Sequence, residues 1–131
     1  MSQYPVAINP SLVGEYDALT KSGGGYFYDE VLEYRVWCHP ERGAPDEHGG
    51  DDYFQAFETY EEAKAFSDAT AGAENPLVLV RQHEHVNEPK PNEFIHVKSE
   101  RIAEWQVQWL LEDTKRMPDS IAKFLAEKVK E

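Results

Sequence analysis

The run Asp52-Tyr53-Phe54-Gln55-Ala56-Phe57-Glu58-Thr59-Tyr60-Glu61-Glu62-Ala63 changes its periodicity part-way along. Asp52 to Glu58 reads as a strand. Thr59-Tyr60-Glu61-Glu62 is then a capping box: the Thr59 hydroxyl accepts from the Glu62 N–H, and the Glu62 side chain reaches back to Thr59. Two acids in the first turn also suit the positive end of a helix dipole. Tyr60, Ala63, Phe66 and Ala69 continue as a narrow apolar stripe, and Gly72 is placed to end the helix. A strand leading directly into a capped helix points to an α+β chain.

Upstream, Tyr26 to His39 is dense in aromatic and β-branched residues. Leu32, Tyr34, Val36 and Cys38 fall on one face and Glu33, Arg35 and Trp37 on the other, so a strand with part of its second face wet is expected. Pro40 to Gly50 reads as loop, and residues 40–51 form a long acidic connection in a hairpin. Asn9 and Pro10 suit a helix cap and first position, with Leu12, Tyr16 and Leu19 at helical spacing. A short helix over 9–20, ended by Ser22-Gly23-Gly24-Gly25, is expected.

Downstream, Leu77 to Val86 predicts a third strand, Asn87 to Asn92 a turn or short linker, and Phe94 to Lys98 a fourth strand. In Arg101–Leu111, Trp105, Val107, Trp109 and Leu111 alternate as in a strand, while Ile102, Trp105 and Trp109 also fit a helical face; strand is the preferred reading. Pro118 to Lys130 carries Ile121, Phe124, Leu125 and Val129 on one side and reads as an amphipathic helix. The expected architecture is a single α+β domain over 1–131. Its antiparallel sheet has four or five strands, with helices packed mainly on one face.

The 131 residues include 13 Lys and Arg against 25 Asp and Glu, a net charge of −12. That balance excludes sequence-independent nucleic-acid binding and attraction to an anionic membrane. Between Asp29 and Glu62 stand eleven acids and two bases. Such a segment suits a basic partner or imitates nucleic acid; its ordinary reading is a solvated face kept apart by like charge. One cysteine, Cys38, excludes an intrachain disulfide and a multi-thiolate zinc site. The start Met-Ser-Gln-Tyr-Pro has no signal-peptide form and no apolar run nears a membrane span, so a cytoplasmic location is expected.

Tyr34-Arg35-Val36-Trp37-Cys38-His39-Pro40-Glu41-Arg42-Gly43, Phe57-Glu58-Thr59-Tyr60-Glu61-Glu62-Ala63 and Arg101-Ile102-Ala103-Glu104-Trp105 together resemble a family of small bacterial proteins often labelled GCN5-like acetyltransferases. The likeness covers Ala7 to Phe124. It implies a small cytoplasmic domain and, through the label, acetyl-CoA-dependent acyl transfer. That superfamily cradles pyrophosphate with a [Gln/Arg]-x-x-Gly-x-[Gly/Ala] turn before a helix N-terminus. Here Gly24 follows Lys21 by three but precedes Tyr26 by two, Gly72 follows Ala69, and Gly43 follows Pro40. The acetyl-CoA motif is not found.

Among chemical constellations, His83-x-His85 would project two imidazoles from one strand face, with His96 or Glu93 as a third metal ligand. Arg81 on the same face, and Lys98 beside His96, would oppose a dication. These histidines are read as surface groups, and purified protein is expected to carry no stoichiometric metal. Cys38-His39 with His48 forms a second cluster. Its acidic setting disfavours a thiolate, and His39 points away from Cys38, which reads as a core residue. No carboxylate pair stands out for acid–base work. Trp37, Trp105, Trp109, Tyr26 and Tyr28 line either a core or a groove, and a tryptophan half-exposed on the second sheet face would keep a binding surface open.

The sequence therefore points to a non-catalytic binding or interaction domain without a cofactor or catalytic residues. Tyr26, Tyr28, Trp37, Trp105, Trp109, His83, His85 and His96 are its candidate contact residues. The partner is a small molecule or a protein, with a homodimer through a strand edge or the tryptophan segment left open. The alternatives are an acyltransferase, a metal-assisted hydrolase at the histidines, or an acidic nucleic-acid mimic.

Overall fold

The computed structural model describes residues 4–17, 26–46, 49–111 and 114–129. The chain runs β1 (Glu30–Cys38), β2 (Tyr53–Phe57), α1 (Tyr60–Ala69), β3 (Leu77–Gln82), β4 (His85–Lys90), β5 (Glu93–Val97), β6 (Arg101–Gln106) and α2 (Ser120–Val129). Four strands form one antiparallel sheet in the order β2-β1-β3-β6, and β4 and β5 form a separate antiparallel hairpin. The α+β class and the sheet-dominated architecture are as expected. None of the described helices is long and apolar enough to cross a membrane.

Register explains where the core lies. Tyr34 stands opposite both Phe57 and Val78, and Val78 stands opposite Trp105. Side chains alternate between faces along a strand, so Tyr34, Val36 and Cys38 share one face with Val78, Val80, Ala103 and Trp105. These residues form the buried core cluster. At about 1.5–3 kcal/mol for each buried large apolar side chain, this face supplies most of the folding drive.

The helix α1 lies against β1 and β2 on the core side, with Ala63 and Ser67 buried. Its capping box is present: the Glu62 N–H donates to Thr59 Oγ1 at 3.2 Å, and the Thr59 hydroxyl donates to Glu62 Oε1 at 3.0 Å. Phe66 meets Phe57 at 5.3 Å between centroids, and Tyr60 meets Tyr34 at 6.2 Å. The other helix, α2, packs through Phe124 against Tyr26, Phe27 and Phe94. Ser120 receives the Met117 N–H at its hydroxyl, 2.7 Å away, as α2 begins.

Several local expectations are corrected. Asn9 accepts the Ser11 N–H as anticipated, but the turn it caps is a three-residue 3-10 helix, Pro10–Leu12. Gly14, at φ +89°, leaves the helical path, and its N–H donates instead to Glu33 Oε1 at 2.8 Å. Leu19, Thr20 and the Ser22–Gly25 stop lie outside the described residues. The strand expected over Leu77–Val86 is interrupted at His83-Glu84. There the Asp29 carboxylate takes the His83 N–H at 2.7 Å, an amide otherwise available to a strand neighbour.

The segment expected as a turn over Asn87–Asn92 is mostly strand. β4 runs to Lys90 and only Pro91-Asn92 turns, with Asn92 at φ +68°. In 101–111 both periodicities are real and succeed one another: β6 gives way to a 3-10 helix over Val107–Leu111. The second face of β1 is not wet at Glu33 and Arg35, both of which are 0% exposed. Within the long acidic connection, Pro40–Arg42 forms a 3-10 turn and Ala44 is buried.

The extended backbone of Thr70 forms the C-cap of α1, so Gly72 is not the helix stop it was expected to be and serves elsewhere. At φ +74° it carries the carbonyl that accepts the His39 N–H at 2.9 Å. A Cβ there would stand 2.4 Å from Ala44 N and 2.7 Å from His39 O, distances that force backbone to move. We expect Gly72→Ala to lower stability by about 3 kcal/mol in urea denaturation. Gly49→Ala, also at positive φ but with no atom within 4 Å of the added Cβ, should cost only about 1 kcal/mol. Equal losses from the two substitutions would show that close backbone approach at Gly72 is unimportant.

Candidate functional site

On the second face of the sheet, Glu33, Arg35 and Trp37 follow one another at strand spacing. The Arg35 guanidinium donates to Glu33 Oε2 at 2.6 Å, to Glu104 Oε2 at 3.1 Å, and to the Asp17 carbonyl at 2.5 Å. It also lies 4.2 Å from the centroid of the Phe54 ring, within cation–π range. Glu104 comes from β6 and reaches across β3, so this ion network links β1 to β6 over the strand between them. Glu33 and Gly14, and Arg35 and Asp17, bind the N-terminal segment over the same face.

Trp37 extends that network toward solvent. Its indole Nε1 donates to Glu104 Oε2 at 2.8 Å, and its ring stands 5.1 Å from Phe54. Trp37, Phe54 and Leu77 are each half-buried, and the Glu104 side chain is 20% exposed. The result is an aromatic and aliphatic surface with a carboxylate held in it by a buried cation.

The other candidates are dispersed. Tyr28, Trp105 and Trp109 form an edge-to-face chain with 5.7 Å between successive centroids. Tyr28 and Trp105 are buried core residues, and burial pushes the Tyr28 phenol up from its ordinary value. Tyr26 is exposed at φ +69°, packs on Phe124 at 4.7 Å, and donates its hydroxyl to Glu88 Oε1 at 2.6 Å. That hydrogen bond, with burial, pushes its pKa up to about 12.

His83, His85 and His96 do not share one strand face. The bend after β3 leaves the His83 side chain half-exposed, 3.7 Å from Glu30, and places His85 inside at the start of β4. His96 pairs with Glu84 at 2.6 Å instead. Glu84 also lies 3.5 Å from Arg116, whose Nε donates to Asp29 at 2.7 Å. His96, Glu84, Arg116 and Asp29 are engaged with one another, and the three histidines do not converge on a common point.

The second cluster is assembled differently from its sequence reading. Cys38 is a buried core residue, as expected, and His48 lies outside the described residues. His39 sits where β1 ends, with Nδ1 3.6 Å from Glu41 Oε1 and 2.9 Å from Asp52 Oδ1. Its Nε2 bonds the Glu74 carboxylate. That bond first, then Asp52, raises the His39 pKa above the ordinary value, against the effect of burial. Sequence reading missed the convergence of Asp52 and Glu74 because both are distant along the chain. It also missed the buried Glu33-x-Arg35 pair, although opposite charges two apart on a strand were visible.

The buried network makes a stability prediction. Arg35→Met leaves the Glu33 carboxylate inside without its cation, at an expected cost of about 3–5 kcal/mol. Adding Glu33→Gln removes the uncompensated charge and should recover a large part of that loss in urea denaturation. A loss under about 1 kcal/mol for Arg35→Met would show that the pair carries little.

His85 makes a pH prediction. Burial first, then Arg101 and His96, hold its pKa below the ordinary histidine value, with a hydrogen bond to the Ser99 backbone opposing. Above about pH 6.5 the imidazole is neutral in folded and unfolded chains alike. Below that, and down to the lower folded value, the unfolded chain binds more protons, so stability falls as the pH falls. The loss of stability between pH 7.5 and pH 5.5 should therefore be smaller in His85→Gln than in the parent. An unchanged slope would refute this assignment.

No protein-family model, curated protein or solved structure matches the chain, so the geometry above carries the functional reading.

Proposed function

We propose that the chain is a non-catalytic binding domain whose contact surface is the second face of the sheet around Trp37, Phe54 and Glu104. One observation carries this reading: Trp37 is half-buried, with its indole tied to Glu104, and Glu104 is itself held by the fully buried Arg35. A tryptophan fixed in this way loses little rotamer freedom when a partner covers it, and large aromatic anchors dominate binding energies. Glu104 beside two aromatic rings suits a ligand with a cationic group next to an apolar body. The surplus of acids over bases in the chain steers such a ligand inward.

Support for a binding role over catalysis comes from how the ionisable groups are used. Glu33, Arg35, Asp29, Arg116, Glu84 and His96 are engaged with one another, and Cys38 is sealed in the core. An acyltransferase, implied by the family resemblance, is the competing reading. β2 and β6 are the two edges of the main sheet, and a second copy pairing along either would be a further binding mode.

Titration of isotope-labelled protein separates these readings. With phenethylamine as the probe, we expect the largest amide shifts at Trp37, Phe54, Leu77 and Glu104, together with the Trp37 indole. Trp37→Ala should weaken that response about tenfold or more. Shifts that are absent, or that map elsewhere, would remove this surface from consideration. A localised response to acetyl-CoA around residues 23–28 would favour the acyltransferase.

A further inference from the structure

We propose that His39, Glu41 and Asp52 form a binding site for a divalent transition-metal ion of the Zn²⁺ type, with Glu74 as the group that orients the histidine. The three donor atoms, His39 Nδ1, one Glu41 carboxylate oxygen and one Asp52 carboxylate oxygen, all lie within 4.8 Å of one another. Nδ1 stands 2.9 Å from the Asp52 oxygen and 3.6 Å from the Glu41 oxygen. Ligands about 2.1 Å from a tetrahedral ion stand about 3.4 Å from each other, so these separations need only small side-chain adjustments.

A second observation points to a ligand rather than to a chance cluster of acids. His39 is 9% exposed, and its Nδ1 has no hydrogen-bond partner among the described residues. The Asp52 oxygen is near Nδ1 but not aligned to accept from it. On the other side of the ring, Nε2 bonds Glu74. A carboxylate on one imidazole nitrogen fixes the tautomer that offers the other nitrogen's lone pair to a metal.

The fold holds each donor separately. His39 is anchored by its N–H to the Gly72 carbonyl, and Glu41 lies in the 3-10 turn Pro40–Arg42. Asp52 immediately precedes β2, and the Glu74 N–H donates to the Trp37 carbonyl at 2.8 Å. Among the described residues, no Lys or Arg forms an ion pair with Glu41, Asp52 or Glu74. Three carboxylates thus surround one imidazole, and a dication offsets their charge.

Mixed imidazole and carboxylate donors favour Zn²⁺ over Mg²⁺, which prefers oxygen ligands and keeps its waters. Zn²⁺ takes the place of any proton on Nδ1, so that proton leaves when the ion binds. Three protein ligands leave a coordination position for water or for a donor from a partner. This departs from the sequence-level expectation of a metal-free protein and uses none of His83, His85 or His96. It is also independent of the surface around Trp37.

The test is calorimetric titration of the full chain with ZnCl₂ and, separately, MgCl₂, with native mass spectrometry for stoichiometry. We expect one Zn²⁺ per chain and at least tenfold weaker binding of Mg²⁺. Glu41→Gln and Asp52→Asn alter exposed side chains and should each weaken Zn²⁺ binding at least tenfold while circular dichroism stays unchanged. Glu74→Gln should weaken it about tenfold through loss of the orienting bond, and His83→Ala should leave it unchanged. Three results would overturn the proposal: no stoichiometric Zn²⁺, binding indifferent to both Glu41→Gln and Asp52→Asn, or binding lost in His83→Ala. Equal affinity for Mg²⁺ would overturn the assignment of the ion.

Discussion

A guanidinium sealed inside the protein constrains this fold more than any other group. Arg35 is fully buried, and the cost of taking a charge out of water is several kcal/mol even after relaxation. It is tolerated because each of its three nitrogens donates, Nε to Glu33 along the same strand, Nη1 to Glu104 across the sheet and Nη2 to the Asp17 carbonyl of the N-terminal segment, while the Phe54 ring covers its face. These partners come from separate parts of the chain. They link β1 to β6 across β3 on that face, and with the Glu33 bond to Gly14 they hold residues 14–17 over it.

The two faces of the sheet therefore do different work. The face carrying Tyr34, Val36, Val78 and Trp105 is an apolar core completed by α1. It is non-directional and tolerates any well-shaped packing. The opposite face is polar at its centre and aromatic toward its margin, where Trp37 shares the Glu104 carboxylate with Arg35. Hydrogen bonds to a buried charge are directional, so this face fixes positions of side chains rather than simply excluding water. A surface aromatic held by such a network is already in the conformation that a partner would need.

At the end of β1 the same logic operates through the backbone. The positive φ of Gly72 lets the segment after α1 approach His39 and Ala44 more closely than any side chain would permit. That approach brings Glu74 to one edge of the imidazole while the β1–β2 connection brings Glu41 and Asp52 to the other. Four residues spread over some thirty-six positions of the chain become neighbours through one glycine and one strand pairing.

Local features of this protein were legible in its residues wherever the deciding forces were local. Thr59 and Glu62 make a capping box through atoms only three residues apart, and Asn9 caps its turn in the same way. The alternation in β1 from Glu33 to Cys38 and the strand-to-helix switch after Phe57 follow from side-chain periodicity, and with them the α+β class. At Leu32 a register shift breaks the alternation and puts Val31 in the core cluster instead. The tertiary structure decided everything that depended on a distant partner. Gly14 left its helix because Glu33 took its N–H, and β3 stopped where Asp29 took the amide of His83. Glu33 and Arg35 went inside because Glu104 and Asp17 were there to satisfy them. His39 gained its acids from segments that no spacing rule connects. Periodicity reports which face a residue shares with its near neighbours; whether that face is wet, buried or a site depends on what the rest of the chain lays against it.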